Sequence, residues 1–248
     1  GVTGVQTCAL PICQAIRERM RDQRAARAAG TSGAAAIVDY DFAARCAAPP
    51  PPDTATAADP IVVVSGLPRS GTSMLMRVLG AGGIPLLVDG ERGADENNRL
   101  GYYEFAPVKS LAVAKGRDRA WIADARGKGV KVVAPLVRHL PPDVPAKILV
   151  LHRPLGQVLA SQEAMKGRLG TTARGAEAAT LARQFAGEMD RIDALVAARP
   201  AWRVLHVSYE TMLADPEGEC RRIGAFLGAG FDAAAAAQGV DASQRRFG

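Results

Sequence analysis

Aromatic side chains are scarce in this chain: Phe, Trp and Tyr make up 5% of its 248 residues. No dense Lys/Arg tract is interleaved with what rings there are, so the pattern of a nucleic-acid-binding surface is missing. Cysteine is sparse as well. Cys8, Cys13, Cys46 and Cys220 form no CxxC and no spacing that suits a metal site or a disulfide framework, and a reducing, cytoplasmic setting is the expectation. No run approaches the roughly 20 apolar residues of a membrane-spanning helix. Neither sign of charge dominates: 31 basic and 25 acidic residues leave a net +6, a mild excess that suits an anionic cofactor or substrate.

What remains is a globular composition, 48% hydrophobic, in a chain long enough for one sizeable core. Residues 2–12 (VTGVQTCALPI) match the translation of a common sequencing-adapter string and are set aside as adapter carried into an assembled gene. Residues 13–59 read as a helical remnant, with helix formers over 14–29 and a second helical stretch over 34–47. A proline run at 49–52 and a linker follow. The folded domain is expected over residues 60–248.

From residue 60 onward the periodicity alternates. Residues 61–65 (IVVVS) form a continuous apolar run of strand length, and 130–134, 147–152 (KILVLH) and 202–207 (WRVLHV) also read as strands. Between them lie helical patterns over 72–81, 107–125, 155–164, 176–198 and 216–227. The 176–198 helix carries Leu181, Phe185, Met189, Ile192, Leu195 and Val196 at helical spacing. Unpatterned strands alternating with helices imply an α/β fold with a mostly parallel central sheet flanked by helices. The expectation is a P-loop nucleotide-binding fold.

That expectation comes from residues 66–73, GLPRSGTS, which run from the first strand into a helix. A glycine-rich turn there aims successive backbone N–H groups and the helix dipole at one point, a ready anion site. The spacing follows the Walker A pattern, but Thr72 stands where its lysine belongs. The cation of the loop is instead Arg69, with Ser70, Thr72 and Ser73 as hydroxyl donors and Gly71 at the turn. A loop that grips phosphate without hydrolysing it fits this set better than Mg²⁺-dependent ATP or GTP chemistry. Taken without any ligand, the same residues could also form a plain capped strand–helix turn.

PRSGTS after an apolar strand resembles the 5′-phosphosulfate loop of the sulfotransferase family. Two further blocks extend the resemblance. KILVLHRPLGQVLAS places Ser161 eight residues after Arg153, the separation of the family's 3′-phosphate pair, although Pro154 departs from the family's R-x-P form. SYETMLADPEGECRRIGAFLG resembles an architectural stretch of the family. The resemblance implies a sulfotransferase that moves a sulfuryl group from 3′-phosphoadenosine 5′-phosphosulfate (PAPS) to a hydroxyl or amine of a small-molecule or glycan acceptor. It further implies that Arg69, Ser70, Gly71, Thr72, Ser73, Arg153 and Ser161 hold the donor, with Arg69 bridging its 5′ phosphate and the leaving oxygen, and that no metal is needed.

The catalytic base stays open at this point. If Lys131 matches the family's lysine, Val133 falls where the family's histidine stands, and His139 lies further along. Glu104, between aromatics in GYYEF, leads as an alternative base, followed by Glu91 in DGER. Lys109 and Ser110 are further candidates for donor or acceptor contact, and Arg245–Arg246 faintly resemble the family's C-terminal basic segment. Two other functions remain available: a P-loop kinase or nucleotide phosphotransferase, for which no Walker B carboxylate is visible, and a non-catalytic anion-binding module.

Overall fold

The computed structural model describes residues 42–51, 59–90, 101–112, 120–168 and 175–241. These belong to one compact unit, Asp39–Gly248. Residues 2–12, the helix expected over 14–29, Glu91 and Arg245–Arg246 lie outside the described residues.

The elements are α1 (Ala43–Ala47), β1 (Ile61–Gly66), α2 (Thr72–Ala81), α3 (Ala106–Lys109) running into a 3₁₀ turn (Ser110–Ala112), α4 (Ala120–Asp124) and β2 (Gly129–Lys131). They continue with α5 (Ala134–Val137), β3 (Ala146–His152), α6 (Leu155–Arg168), α7 (Gly175–Ala197), β4 (Trp202–Ser208), α8 (Tyr209–Ala214), α9 (Pro216–Leu227) and α10 (Ala233–Gln238). The sheet order is β2-β1-β3-β4 and every pairing is parallel. Ile61 pairs with Ala146 and Gly66 with Leu151, while Ala146 pairs with Trp202 and His152 with Ser208. All three inner-edge registers therefore bring the C-terminal strand ends together at one rim of the sheet.

Each central strand divides its residues between two cores, because successive side chains point to opposite faces. Ile61, Val63, Ile148 and Val150 pack with Trp121 of α4, Leu155 and Val158 of α6, and Met189 and Ile192 of α7. Val62, Val64, Leu149 and Leu151 pack with Leu75, Val78 and Leu79 of α2, and with Ile223 and Phe226 of α9. Burial of both faces is why these strands read as unbroken apolar runs. Each fully buried Leu, Ile or Phe contributes about 1.5–3 kcal/mol.

Helix ends follow their local chemistry. Asp215 accepts a hydrogen bond from Gly218 N at 2.9 Å and is followed by Pro216 at the first helical position of α9. Ser208 ends β4 and at once caps α8 by accepting from Thr211 N at 3.2 Å. The expected strand over 130–134 is shorter than the pattern suggests, because Pro135 brings the chain into α5 with Val133 as its N-cap. The helix expected over 107–125 is divided into α3, the 3₁₀ turn and α4 among its described residues. In α7, Met189 and Ile192 are buried as expected, and Leu195 and Val196 pack against that core; the side chains of Leu181 and Phe185 lie outside the described set.

Candidate active site

At the C-terminal rim β1 ends in Gly66, and the chain turns through Leu67, Pro68, Arg69 and Ser70 to Gly71, where α2 begins. Gly71 has φ of 102°. A Cβ there would lie 2.7 Å from a ring carbon of Tyr209, and one on Gly66 would lie 2.6 Å from Ser70 Oγ. Only glycine fits either position. Arg69 itself has φ of 74°, a left-handed conformation costing a non-glycine residue about 1–2 kcal/mol. Strain of this kind collects at ligand-gripping turns. The strained backbone turns the Arg69 side chain towards α6, where Nε donates to Ser161 Oγ at 3.1 Å.

Arg153 follows directly on β3. Its Nη1 donates to the Arg69 carbonyl at 3.3 Å and its Nε to Gln157 Oε1 at 3.0 Å, while the guanidinium lies 4.4 Å over the Tyr209 ring. Gln157 in turn donates to Glu210 Oε1 at 2.9 Å. Arg153 and Ser161 are 8% and 3% exposed. Two arginines and a serine, drawn from two loops and a helix, thus form one cluster beside the first turn of α2. No side chain caps that turn, so its N–H groups add to the same positive field.

Ser70 Oγ is buried in the loop without a hydrogen-bond partner among the described residues. Leaving such a group unsatisfied costs about 1–3 kcal/mol, and an oxyanion at the loop would meet it. Thr72 is buried beside it. Ser73 Oγ donates to the Tyr102 carbonyl at 3.3 Å and receives Lys131 Nζ at 3.2 Å, and the same ammonium donates to Tyr102 O at 2.9 Å. These bonds stitch the segment that carries Glu104 to the phosphate loop. Glu104 is partly exposed and pairs with Lys109 Nζ at 3.1 Å. Ser110 donates locally to Pro107 O at 2.7 Å. Among the described residues no group of three His, Cys, Asp or Glu could hold a metal ion, and no described helix is long and apolar enough to cross a membrane.

A family model described as the sulfotransferase family matches residues 90–233, more than half of the chain. The chain belongs to the sulfotransferase family. This sulfotransferase transfers sulfuryl groups, and its membership implies a PAPS-type donor. The matched span contains Glu104, Arg153, Ser161 and Tyr209 and begins after the 66–73 loop. Among solved structures, the sulfotransferase is similar to the sulfotransferase domain from the curacin biosynthetic pathway (16% identity, 78% of this chain and 82% of that chain, TM-score 0.44). It is also similar to the sulfotransferase domain from the Synechococcus PCC 7002 olefin synthase (19% identity, 75% and 79%, TM-score 0.41). No curated protein matches it.

The family assignment corrects one expectation. The fold is α/β and sulfotransferase-like, not a P-loop nucleotide-binding fold. The alternation of strand and helix behind that expectation is common to many α/β architectures. The residue that would have distinguished a Walker loop, its lysine, is Thr72 here.

The structure unites Arg69, Ser70, Gly71, Thr72, Ser73, Arg153 and Ser161 at one rim, and ties Glu104 to it through Tyr102. It does not bring His139 there. Arg199, at the end of α7 just before β4 begins, donates to the Arg138 carbonyl at 3.3 Å, so His139 lies with the N-terminal strand ends, at the opposite rim. Two contributors, Tyr209 and Gln157, were not legible in the sequence as site residues, and Lys131 was legible only as a possible match to the family's lysine. Tyr209 read as architectural yet supports both Gly71 and Arg153, and Gln157 and Lys131 act through bonds that no local pattern announces. The tyrosine following the strand's last serine was the available signal.

Proposed function

We propose that the 66–73 loop, Arg153 and Ser161 form the PAPS site and that Glu104 accepts the proton of the acceptor hydroxyl or amine. The observation that carries this reading is the 3.1 Å contact of Arg69 with Ser161, which joins the two phosphate-binding blocks into one cationic cluster. The buried, unpartnered Ser70 hydroxyl supports an oxyanion in the loop.

When bound, PAPS supplies an activated sulfuryl group on its 5′ phosphate. Arg153 holds the 3′ phosphate as a charge-assisted fork, kept in place by Gln157 below and the Tyr209 ring beneath its plane. Arg69 meets the negative charge that grows on the bridging oxygen as the sulfur–oxygen bond breaks, aided by the first-turn amides of α2. Removing one such donor costs about 10²–10³-fold in kcat. Glu104 removes the proton as the acceptor oxygen or nitrogen bonds to sulfur, a role worth about 10²–10⁴-fold. Lys109 Nζ lies 3.1 Å from that carboxylate. The acceptor belongs to the class of sugars, lipids and phenols that carry a free hydroxyl, or to amines.

Two measurements test the reading. Calorimetry with adenosine 3′,5′-bisphosphate should show binding to the wild-type protein, with losses in Arg69→Ala and Arg153→Ala. Transfer from labelled PAPS across sugar, lipid and phenolic acceptors should show product, and Glu104→Gln should lower kcat while leaving bisphosphate affinity unchanged. No bisphosphate binding would reject the donor site, and full activity in Glu104→Gln would reject the base.

A further inference from the structure

Next to the donor residues, on the opposite face of β3, lies a buried polar chain that plays no part in the transfer. His152, the last residue of β3 and the immediate neighbour of Arg153, is 3% exposed. Its Nε2 lies 2.7 Å from His206 Nδ1 on β4. His206 Nε2 is 3.1 Å from Asp193 Oδ1 on α7, and Asp193 Oδ2 is 2.6 Å from Arg45 Nε on α1. Arg45 Nη2 also reaches Asp190 Oδ1 at 2.8 Å. The Phe42 ring stacks on His152 with centroids 5.8 Å apart and planes 9° apart.

The ring nitrogens of His152 and His206 close their bond with either one donating. Neutral His152 can donate from Nε2 to His206 Nδ1 or accept from it there, and His206 Nε2 faces the ionised Asp193 carboxylate at ion-pair distance. Burial, then the neighbouring His206 and Arg45, hold the His152 imidazole well below its ordinary pKa. Burial pushes the Asp193 carboxyl up, but its contact with His206 and the charge of Arg45 outweigh this and hold it low. Both groups therefore rest in the forms the chain requires.

A chain of four polar side chains is a costly way to fill a core, since apolar residues of like volume would pack there at least as stably. Its position gives it a use. Consecutive side chains on a strand point to opposite faces, so pinning the His152 ring on the α7 side fixes the peptide from which Arg153 leaves towards Tyr209 and the Arg69 carbonyl. We propose that His152 and His206 are positioning residues for donor binding, a brace of hydrogen bonds and ion pairs running from α1 and α7 through both strands to Arg153. This inference rests on the donor-site reading above.

The decisive comparison is His152→Leu against His152→Gln. Leucine fills the volume and removes the ring nitrogen; the glutamine amide can donate or accept where Nε2 stood and keeps the bond to His206. With adenosine 3′,5′-bisphosphate as the probe, His152→Leu should lose affinity on the order of 10-fold, as expected for a displaced binding group, while His152→Gln stays near wild type. In steady state the PAPS KM should rise in His152→Leu with kcat at saturating donor retained. Should His152→Leu fail to fold, His206→Gln, which keeps the Asp193 contact and loses the link to His152, carries the same expectation. Wild-type affinity in a folded His152→Leu, or equal losses in the leucine and glutamine variants, would overturn the brace alone. Absence of bisphosphate binding by the wild-type protein would overturn the donor site and the brace together.

Discussion

Replacing Gly71 by alanine is the sharpest probe of the loop. Two penalties act at that position. A φ of 102° places an L-residue in left-handed space at about 1–2 kcal/mol. The new methyl would also sit 2.7 Å from the Tyr209 ring, and overpacking of this sort costs about 1–3 kcal/mol. Tyr209 cannot swing aside readily, because it is 4% exposed and lies under the Arg153 guanidinium. The sum is roughly 2–5 kcal/mol, or on the order of 10 °C in Tm for a chain of this size. Bisphosphate affinity should fall with it by at least about 10-fold, since relief of the clash moves either the loop or Arg153. Gly82→Ala is the control. There an added Cβ would overlap the Phe231 ring, but φ is an ordinary −77° and the half-buried ring can give way. It should cost about 1–2 kcal/mol and leave affinity untouched. Thermal denaturation and calorimetry on both variants decide the matter. A Gly71→Ala protein with wild-type Tm and wild-type affinity would refute the geometric account of the loop.

Stability should decline as pH falls below 6.5, the ordinary histidine value. Between that value and the lower one in the fold the unfolded chain binds the extra proton, so stability is full above 6.5 and drains away towards the folded value. Denaturant titrations at a series of pH values should show this slope, and His152→Leu should flatten it. Burial first, with Glu219 adding to it and Arg222 and Arg45 partly opposing, pushes the Cys46 thiol up to about 12, and burial with Glu219 pushes Cys220 up to about 11. Native-state alkylation at pH 8 should therefore modify both on the order of 10²–10³-fold more slowly than an unfolded cysteine, since only the thiolate reacts; peptide mapping after timed labelling measures it. Asp215→Ala should cost about 1 kcal/mol through loss of the α9 cap, read as a lower denaturant midpoint at unchanged slope.

The parts of this fold that local chemistry determines were legible in the sequence. Residues 61–65, 147–152 and 202–207 form β1, β3 and β4 nearly as expected, and β1 and β3 are buried along their whole length. α9 runs from Pro216 to the glycine at 228, as its punctuation indicates. Expectations failed where one residue redirects the chain, as Pro135 does after β2, and where a strand passes straight into a helix, as Ser208 does. The phosphate loop could be read because its glycines and hydroxyls are contiguous. The brace could not. Arg45 and Asp193 are 148 residues apart, and such pairings leave no periodic trace. The one available sign was that two of the chain's 3 histidines end or interrupt strand patterns rich in Leu, Val and Ile.

The placement of α1 has a bearing on self-association. Among the described residues β4 is an outer strand of the sheet, and an outer strand offers its unspent backbone groups to any other chain. Here α1 packs against β4, while Arg222 donates to the His206 carbonyl and to Ala48 O. The ion pairs of Arg45 with Asp190 and Asp193 lock α1 in place. The short helix is therefore a guard rail along β4. A chain trimmed to begin at Pro60, where the strand pattern starts, would keep every residue of the phosphate loop and lose the rail.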